Sequence, residues 1–148
     1  MRLLFAMGNN RQQNTGSPSN PHRRQNVHAL VIREPFATLI AMGHKKVETR
    51  RYRPPRDRLF ERIGIVACNG SKSYLIGSCV IKGWFEYADR AEWNFGRRQH
   101  LVQPNTEFDW TDPDSKRFGW LLSLAEMDDT ATPFKINGPN PWQKMENQ

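Results

Sequence analysis

The chain has 148 residues, two cysteines and a formal net charge of +7 at pH 7, which fits one domain with a hydrophobic core. No stretch approaches the ~18 consecutive apolar residues of a membrane span, and no secretory leader is recognisable at the start. Neither metal-ligand spacing nor a Walker or dinucleotide-binding motif is present. We therefore expect a cytoplasmic, intracellular protein with no cofactor, no metal site and no membrane partner.

Positive charge is concentrated in the first half of the chain. Residues 1–27 carry four arginines and no acid, residues 28–72 carry ten Lys or Arg against four acids, and residues 73–148 carry eight against eleven. A basic region of this kind attracts phosphate-rich partners such as nucleic acids. A solvated basic face without a partner is the alternative.

The first part of the chain is polar and rich in Asn, Gln, Ser and Arg. Residues 8–27 contain a single large aliphatic side chain, Val27. Such a segment cannot bury enough apolar surface to offset the entropy lost on ordering. The sequence therefore predicts a disordered basic arm over residues 1–26 and one folded domain over residues 27–148.

The folded part is predicted to begin with a strand over residues 27–33. Pro35 then suits the first turn of a helix, in which Phe36, Leu39 and Ile40 share one apolar face. Gly43 is well placed to end this helix. The chain continues as the strand KKVETRRY, which ends at Pro54-Pro55 because proline cannot donate to a sheet ladder.

Longer strands are predicted in the second half. RLFERIGIVACNG, SYLIGSCVIKGWFEY and RFGWLLSLAEM are apolar strands, with bulges expected at Gly77 and Gly83. Residues 88–113 are turn-rich, with a short helix near DRAEWNF, and a short strand lies near the end of the chain. Cys68 and Cys79 are expected to be buried free thiols. Five or six strands with one to three short helices favour a small, mainly β (α+β) barrel over a parallel doubly wound sheet.

Charged residues alternate with smaller ones along KKVETRRY. The alternation of side chains on a strand puts Val47 and Thr49 on one face, where we expect them to pack on the preceding helix. Glu48 and Arg50 fall on the opposite face, close to Lys45 at the turn. This arrangement predicts either the lip of a cleft or a surface ion pair, which would be worth at most about 1 kcal/mol.

The stretch GHKKVETR, residues 43–50, matches the pattern G-x-K-x-x-E-x-R. Together with the helix start EPFA, the segments RLFERIGIVACNGSKS and IGSCVIKG, and the ending FKINGPNPWQKM, it resembles the activating signal cointegrator homology (ASCH) domain. The resemblance covers roughly residues 28–145, with 88–115 unmatched. It implies a fold like the pseudouridine-synthase and archaeosine-transglycosylase (PUA) domain, a small β-barrel with short helices. It also implies a cleft into which the Lys, Glu and Arg of the motif point.

The same resemblance implies binding of nucleic acid, chiefly RNA, or of a nucleotide or nucleoside. Guanidinium groups bind phosphate or base edges through paired hydrogen bonds, and an aromatic ring can stack on a base. Arg33 and Lys72 are expected near the motif if the barrel closes as in the family. The predicted nucleic-acid-binding residues are Arg33, Lys45, Glu48, Arg50, Arg51, Arg53, Lys72 and Trp120.

A small hydrolase that uses the same cleft is the alternative, either a ribonuclease or an N4-acylcytidine amidohydrolase. Lys45 would then act as base or nucleophile and Glu48 as general acid or base. The amidohydrolase branch of the family pairs a Lys with a Thr three residues later, where this chain has Glu48, and this departure counts against that activity. The sequence does not choose between RNA and DNA, and it does not give the oligomeric state.

Overall fold

The structure is a computed structural model that describes residues 26–145 and the backbone of Leu4 and Phe5. Leu4–Phe5 forms a two-residue strand, β1. Apart from β1 and Asn26, the arm predicted over residues 1–26 lies outside the described residues. Its disorder stays a prediction.

Six further strands and three short helices follow β1 in the described part of the chain. The strands are β2 (His28–Arg33), β3 (Val47–Arg50), β4 (Arg62–Asn69), β5 (Lys72–Glu86), β6 (Phe118–Pro133) and β7 (Trp142–Lys144). The helices are α1 (Phe36–Ala41), α2 (Arg90–Phe95) and α3 (Arg97–His100), and a 3-10 turn spans Arg56–Arg58.

All of these strands belong to one mixed sheet. Its order is β3-β6-β5-β4-β2-β7, with β1 paired to β5. β2 and β4 are parallel, and the other pairings between the described strands are antiparallel. The predicted mainly β fold with short helices is therefore confirmed. The sheet is not closed, because no strand pairing among the described residues joins β3 to β7.

β5 and β6 are long strands that bulges bend over the core. The pairing register shifts between Leu75 and Gly77 and again between Ile81 and Gly83, so the bulges predicted at both glycines are confirmed. A Cβ atom on Gly77 would collide with the backbone carbonyl of Glu126, so this approach requires glycine. The bends increase the coiling of the sheet and bring its two ends toward each other.

α1 covers one side of the sheet. It begins after Pro35, and Gly43 follows its last turn with φ +79°, which confirms the predicted end of the helix. Its buried residues Ala37, Ile40 and Ala41 belong to the main core cluster, which also contains side chains from β2, β4, β5 and β6.

A second core cluster lies under the segment that the sequence left poorly defined. Residues 88–113 hold two helices, α2 and α3, rather than the single one predicted. Trp93, Val102 and Trp110 of this segment are buried with Phe85 and Tyr87 from the end of β5 and the residue after it. The segment is thus a packed layer against the sheet.

No helix in the described residues is long and apolar enough to cross a membrane.

Candidate functional site

The G-x-K-x-x-E-x-R motif lies where the two ends of the open sheet face each other. β3, which carries the motif, is at one end of the strand order, and β2 lies next to the other end. Val47 is 2 % exposed and belongs to the second core cluster, so its predicted inward packing is confirmed. Phe36, the first residue of α1, packs against the same cluster as Val47, while Thr49 is only half-buried.

Lys45, Glu48 and Arg50 form one connected group, here called the inner cluster. Glu48 Oε2 accepts hydrogen bonds from Arg50 Nη2 at 3.0 Å and Nε at 3.3 Å. Glu48 Oε1 lies 3.8 Å from Lys45 Nζ and accepts a bond of 3.0 Å from the Thr49 backbone N–H. One buried carboxylate therefore balances two cations, as burial of charge requires.

Arg50 also bridges the gap between the ends of the sheet. Its Nη2 donates to the backbone carbonyl of Val31 in β2, at 3.0 Å. Its guanidinium lies 5.8 Å from the centre of the Trp120 ring. A side chain of β3 thus connects β3 to β2, two strands that do not pair with each other in the described residues. This connection holds the two walls of the site at a fixed separation.

Lys45 is almost completely buried. Its Nζ donates to the backbone carbonyl of His100 and lies 4.9 Å from the centre of the Phe36 ring. Burial lowers the pKa of Lys45 to about 8, with Arg50 adding to the shift and Glu48 opposing it. The ammonium is therefore held in place by the protein and loses its proton far more readily than an exposed lysine.

A buried histidine fixes the segment that receives Lys45. His100 Nδ1 accepts a bond of 2.9 Å from the Val102 N–H, so the ring proton lies on Nε2, which donates to the Trp93 carbonyl at 2.9 Å. The imidazole also stacks on the Trp93 ring at 4.1 Å between centroids. Burial lowers the pKa of His100 to about 4, so the ring is neutral at pH 7.

A cavity of about 570 Å³ opens between β2, β3 and the segment after α3. Its volume is in the range of small-ligand pockets, roughly 300–1,000 Å³. The apolar lining residues are Val31, Ile32, Phe36, Val102 and Phe108. The charged lining residues are Arg33, Lys45, Arg50, Arg51 and Arg117, against Glu48 and Glu107. Cations therefore outnumber carboxylates in the lining.

Aromatic rings and an exposed ion pair form part of the cavity wall. Phe36 and Phe108 meet edge to face, with ring centroids 5.2 Å apart. Arg33 Nη1 lies 3.2 Å from Glu107 Oε1, and its guanidinium is 5.7 Å from the centre of the Phe108 ring. Arg33 and Glu107 are mostly exposed, so this pair contributes little to stability.

The structure brings together five of the predicted site residues at this cavity: Arg33, Lys45, Glu48, Arg50 and Arg51. Arg53 lies elsewhere, with its guanidinium 4.6 Å from the centre of the Trp84 ring. Lys72 is also outside the cavity, because it lies at the turn of the β4–β5 hairpin and lines a second depression with Tyr74 and Lys135. The expected proximity of Lys72 to the motif is therefore not found.

Trp120 is placed in the core rather than at the cavity. Its side chain is 0 % exposed, and its ring stacks on Trp142 with centroids 6.1 Å apart. Its Nε1–H donates to the Tyr52 carbonyl at 3.0 Å. A fully buried ring has no free face for a base, so Trp120 supports Arg50 and cannot act as the predicted stacking platform.

Several lining residues were not identified from the sequence, among them Phe36, Val102, Phe108 and Arg117. Phe36 was assigned to the core, and the other three lie in or next to the poorly patterned segment. Asp109 holds that segment in place by accepting bonds from Trp93 Nε1 at 2.8 Å and Arg97 Nη2 at 3.0 Å. The position of Asp109 between two aromatic residues, Phe108 and Trp110, was a usable sign that this segment is ordered.

These features define a small, mainly β domain with a cationic cavity beside the strand that carries the motif. The ASCH domain family model matches residues 30–120, more than half of the chain. The chain therefore belongs to the ASCH domain family, which confirms the predicted membership. The matched range includes residues 88–115, which the comparison of motifs left unmatched.

Solved structures agree with this assignment. ASCH from Zymomonas mobilis is similar with a TM-score of 0.63 at 20 % sequence identity, covering 80 % of this chain and 87 % of that one. A mutant of the same protein gives a TM-score of 0.62 at 20 % identity, covering 80 % and 89 %. At this identity the likeness concerns the fold alone. No curated protein matches the chain.

Proposed function

We propose that this protein binds nucleic acid, chiefly RNA, through the cavity between β2 and β3. The observation that carries the proposal is the lining itself, in which an aromatic pair lies beside an excess of cations. Cations attract the phosphate backbone, and apolar rings receive unstacked bases. Sequence-specific binding of RNA uses single-stranded loops and ends, whose bases can leave the stack and enter a pocket.

Phe108 is the aromatic group best placed to receive a base. It is only partly buried and lines the cavity, and its ring is held between Phe36 and the guanidinium of Arg33. Stacking of a base on an aromatic ring contributes about 1–3 kcal/mol. Glu48 lies deeper, and its two oxygens are engaged by Arg50, Lys45 and the Thr49 N–H, so it holds the cations in place and does not contact the base.

The first experiment is a binding titration with single-stranded RNA, duplex RNA and single-stranded DNA of equal length, each at two salt concentrations. We expect the tightest binding for single-stranded RNA and weaker binding at higher salt, because cations of the protein displace counterions from phosphates. Equal affinity for all three ligands would mean that the protein binds them by charge attraction alone, which would overturn the preference for RNA. Absence of binding to any of them at low salt would overturn the proposal.

Phe108→Ala tests whether the cavity is the binding site. Its matched control is Phe95→Ala, since the Phe95 side chain is 93 % exposed on α2 and does not line the cavity. We expect Phe108→Ala to weaken RNA binding by about 1–3 kcal/mol, with Phe95→Ala close to wild type. Equal effects of the two substitutions would place the binding surface elsewhere.

A hydrolase acting on RNA or on an N4-acylated cytidine is the second candidate, and the lowered pKa of Lys45 favours it. A neutral amine next to Glu48 could act as base or nucleophile. We expect no turnover of either substrate, because Lys45 Nζ is engaged by the His100 carbonyl and Glu48 is engaged by Arg50. Turnover by the wild type that disappears in both Lys45→Met and Glu48→Gln, with both variants still folded by circular dichroism, would establish this candidate instead.

The basic arm, Arg53 and Lys72 are proposed to contribute charge but no selectivity. We expect deletion of the arm, residues 1–26, to weaken binding of every nucleic-acid ligand alike and to reduce the dependence of affinity on salt. A change in the preferred sequence after the deletion would show that the arm reads bases.

A cytoplasmic location also stays a prediction.

A further inference from the structure

One arginine of the cavity differs from the others in its burial and in its partners. Arg117 immediately precedes β6 and is only 8 % exposed. Its Nη1 donates to the Ser115 hydroxyl at 3.0 Å and to the Lys116 carbonyl at 2.9 Å. These neutral acceptors fix the direction of the guanidinium, which lines the cavity, but they do not compensate its charge.

Counter-charges are present at the other buried or half-buried arginines nearby. Arg50 is paired with Glu48, and Arg97 with Asp109. In contrast, neither Arg117 nor Arg51 forms an ion pair with a carboxylate of the described residues. Burial and the charge of Arg51 lower the pKa of Arg117, and Asp112 opposes that shift only in part. The two arginines line the same cavity, and their positive charges are compensated only in part.

A cation that is more than nine-tenths buried and forms no ion pair is unfavourable unless an anion completes the site. The two guanidiniums line the same cavity as the Phe36–Phe108 pair. Guanidinium donors match the oxygens of a phosphate group, to which they can form paired hydrogen bonds. The cavity volume of about 570 Å³ leaves room for an apolar ring and a phosphate in one ligand.

We propose that Arg51 and Arg117, here called the guanidinium pair, form a phosphate subsite, so that the cavity receives one nucleotide with its phosphate on this pair. The placement of the base near Phe108 rests on the function proposed above, whereas the phosphate subsite rests on the guanidinium pair alone. Arg117 is held rigidly and sets the position of the phosphate. Arg51 is exposed and supplies a second guanidinium to the phosphate.

The subsite is tested by calorimetric titration with the four ribonucleoside 5′-monophosphates and with the parent nucleosides. The variants are Arg51→Gln and Arg117→Gln, with Arg90→Gln as control because Arg90 is exposed on α2 and does not line the cavity. Wild type should bind at least one monophosphate about ten-fold more tightly than its nucleoside. Each pair variant should lose most of this difference while affinity for the nucleoside changes less than about two-fold, as expected for a charge-assisted bond.

Arg117 also stabilises the turn before β6, so its variant could fail to fold. Arg51→Gln then decides alone, since its side chain is exposed and makes no ion pair within the described residues. A wild type without preference for the monophosphate, or variants that keep it, would overturn the subsite. If single-stranded RNA still binds in that case, the proposed function stands without the subsite. If the wild type binds a monophosphate but does not bind RNA, the proposed function is overturned and the subsite stands.

Discussion

The inner cluster and the guanidinium pair lie in one cavity, yet they differ in whether a carboxylate is paired with their positive charges. Lys45 and Arg50 share the carboxylate of Glu48, and Arg50 also donates to the Val31 carbonyl. Arg51 and Arg117 have no carboxylate partner among the described residues. The first group maintains the shape of the cavity, and the second offers hydrogen-bond donors to a ligand.

This difference changes the meaning of the motif that identifies the family. The Lys, Glu and Arg of G-x-K-x-x-E-x-R are mostly engaged with one another and with the backbone, which suits a framework that keeps the open sides of the sheet together. The groups free to bind lie one residue beyond the motif, at Arg51, and far along the chain, at Phe108 and Arg117. Variants can separate these two contributions.

The largest expected effect is on stability, from neutralising the carboxylate of the inner cluster. Glu48→Gln leaves Lys45 and Arg50 buried without a counter-charge, so we expect a loss of about 3–5 kcal/mol in the free energy of unfolding. Glu107→Gln is the matched control, since Glu107 lines the same cavity but is exposed. We expect it to change stability by less than about 1 kcal/mol. Urea unfolding of both variants measures the difference, and similar losses would contradict a special role for the inner cluster.

Lys45 predicts a second effect, on the pH dependence of stability. Its pKa is about 8 in the folded protein and 10.5 in the unfolded chain, so between these values the unfolded chain binds more protons. Stability contributed by Lys45 therefore rises as pH increases from 8 to 10.5, by about 3 kcal/mol at most.

The comparison with Lys45→Met isolates this contribution. Cys79 acts in the opposite direction, because burial raises its pKa from 9.0 to about 12, and its contribution to stability falls above pH 9. Both proteins share Cys79, so the difference in unfolding free energy between wild type and Lys45→Met removes its effect. We expect the unfolding free energy of the wild type to increase relative to that of Lys45→Met as pH rises. A difference that is flat between pH 8 and 10 would show that Lys45 titrates as an exposed lysine does.

The smallest expected effect concerns the exposed cations. Arg51→Ala should weaken binding of RNA and reduce the slope of log affinity against log salt by about 1, while unfolding free energy stays within about 0.5 kcal/mol of wild type. Arg90→Ala, a control of the same charge change, should leave both the slope and the affinity nearly unchanged. A loss of stability in Arg51→Ala would show that Arg51 supports the shape of the cavity rather than binding the ligand.

The sequence predicted the elements near the motif because local patterns determine them. Pro35, Gly43 and the alternation after Val47 each specify a helix boundary or a strand face. Segment 88–113 was poorly predicted because its buried residues, such as Trp93 and Trp110, follow no simple period. Its order depends on long-range contacts with β5 and on the bonds to Asp109.

The site was predicted in the motif and at Arg33 and Arg51, but not in the segment after α3. Trp120 was placed at the ligand, although its alternation with Phe118 and Leu122, both buried in the same cluster, indicates the core. Arg117 and Phe108 come together with β3 only in the folded chain, so their spacing in sequence carries no sign of a shared cavity. Lys72 was misplaced for a related reason, because it lies at the turn of the β4–β5 hairpin and lines a different depression.

The measurement that tests the central claim most directly is an NMR titration of the wild-type protein with single-stranded RNA at low salt, following assigned backbone amides. We predict that the largest shifts fall on cavity residues, namely Thr49, Arg51, Val102, Phe108 and Arg117. Ser71, Tyr74 and Phe134, which line the second depression, should change little. Shifts confined to the second depression, or an unchanged spectrum at saturating RNA, would contradict the assignment of the cavity as the nucleic-acid site.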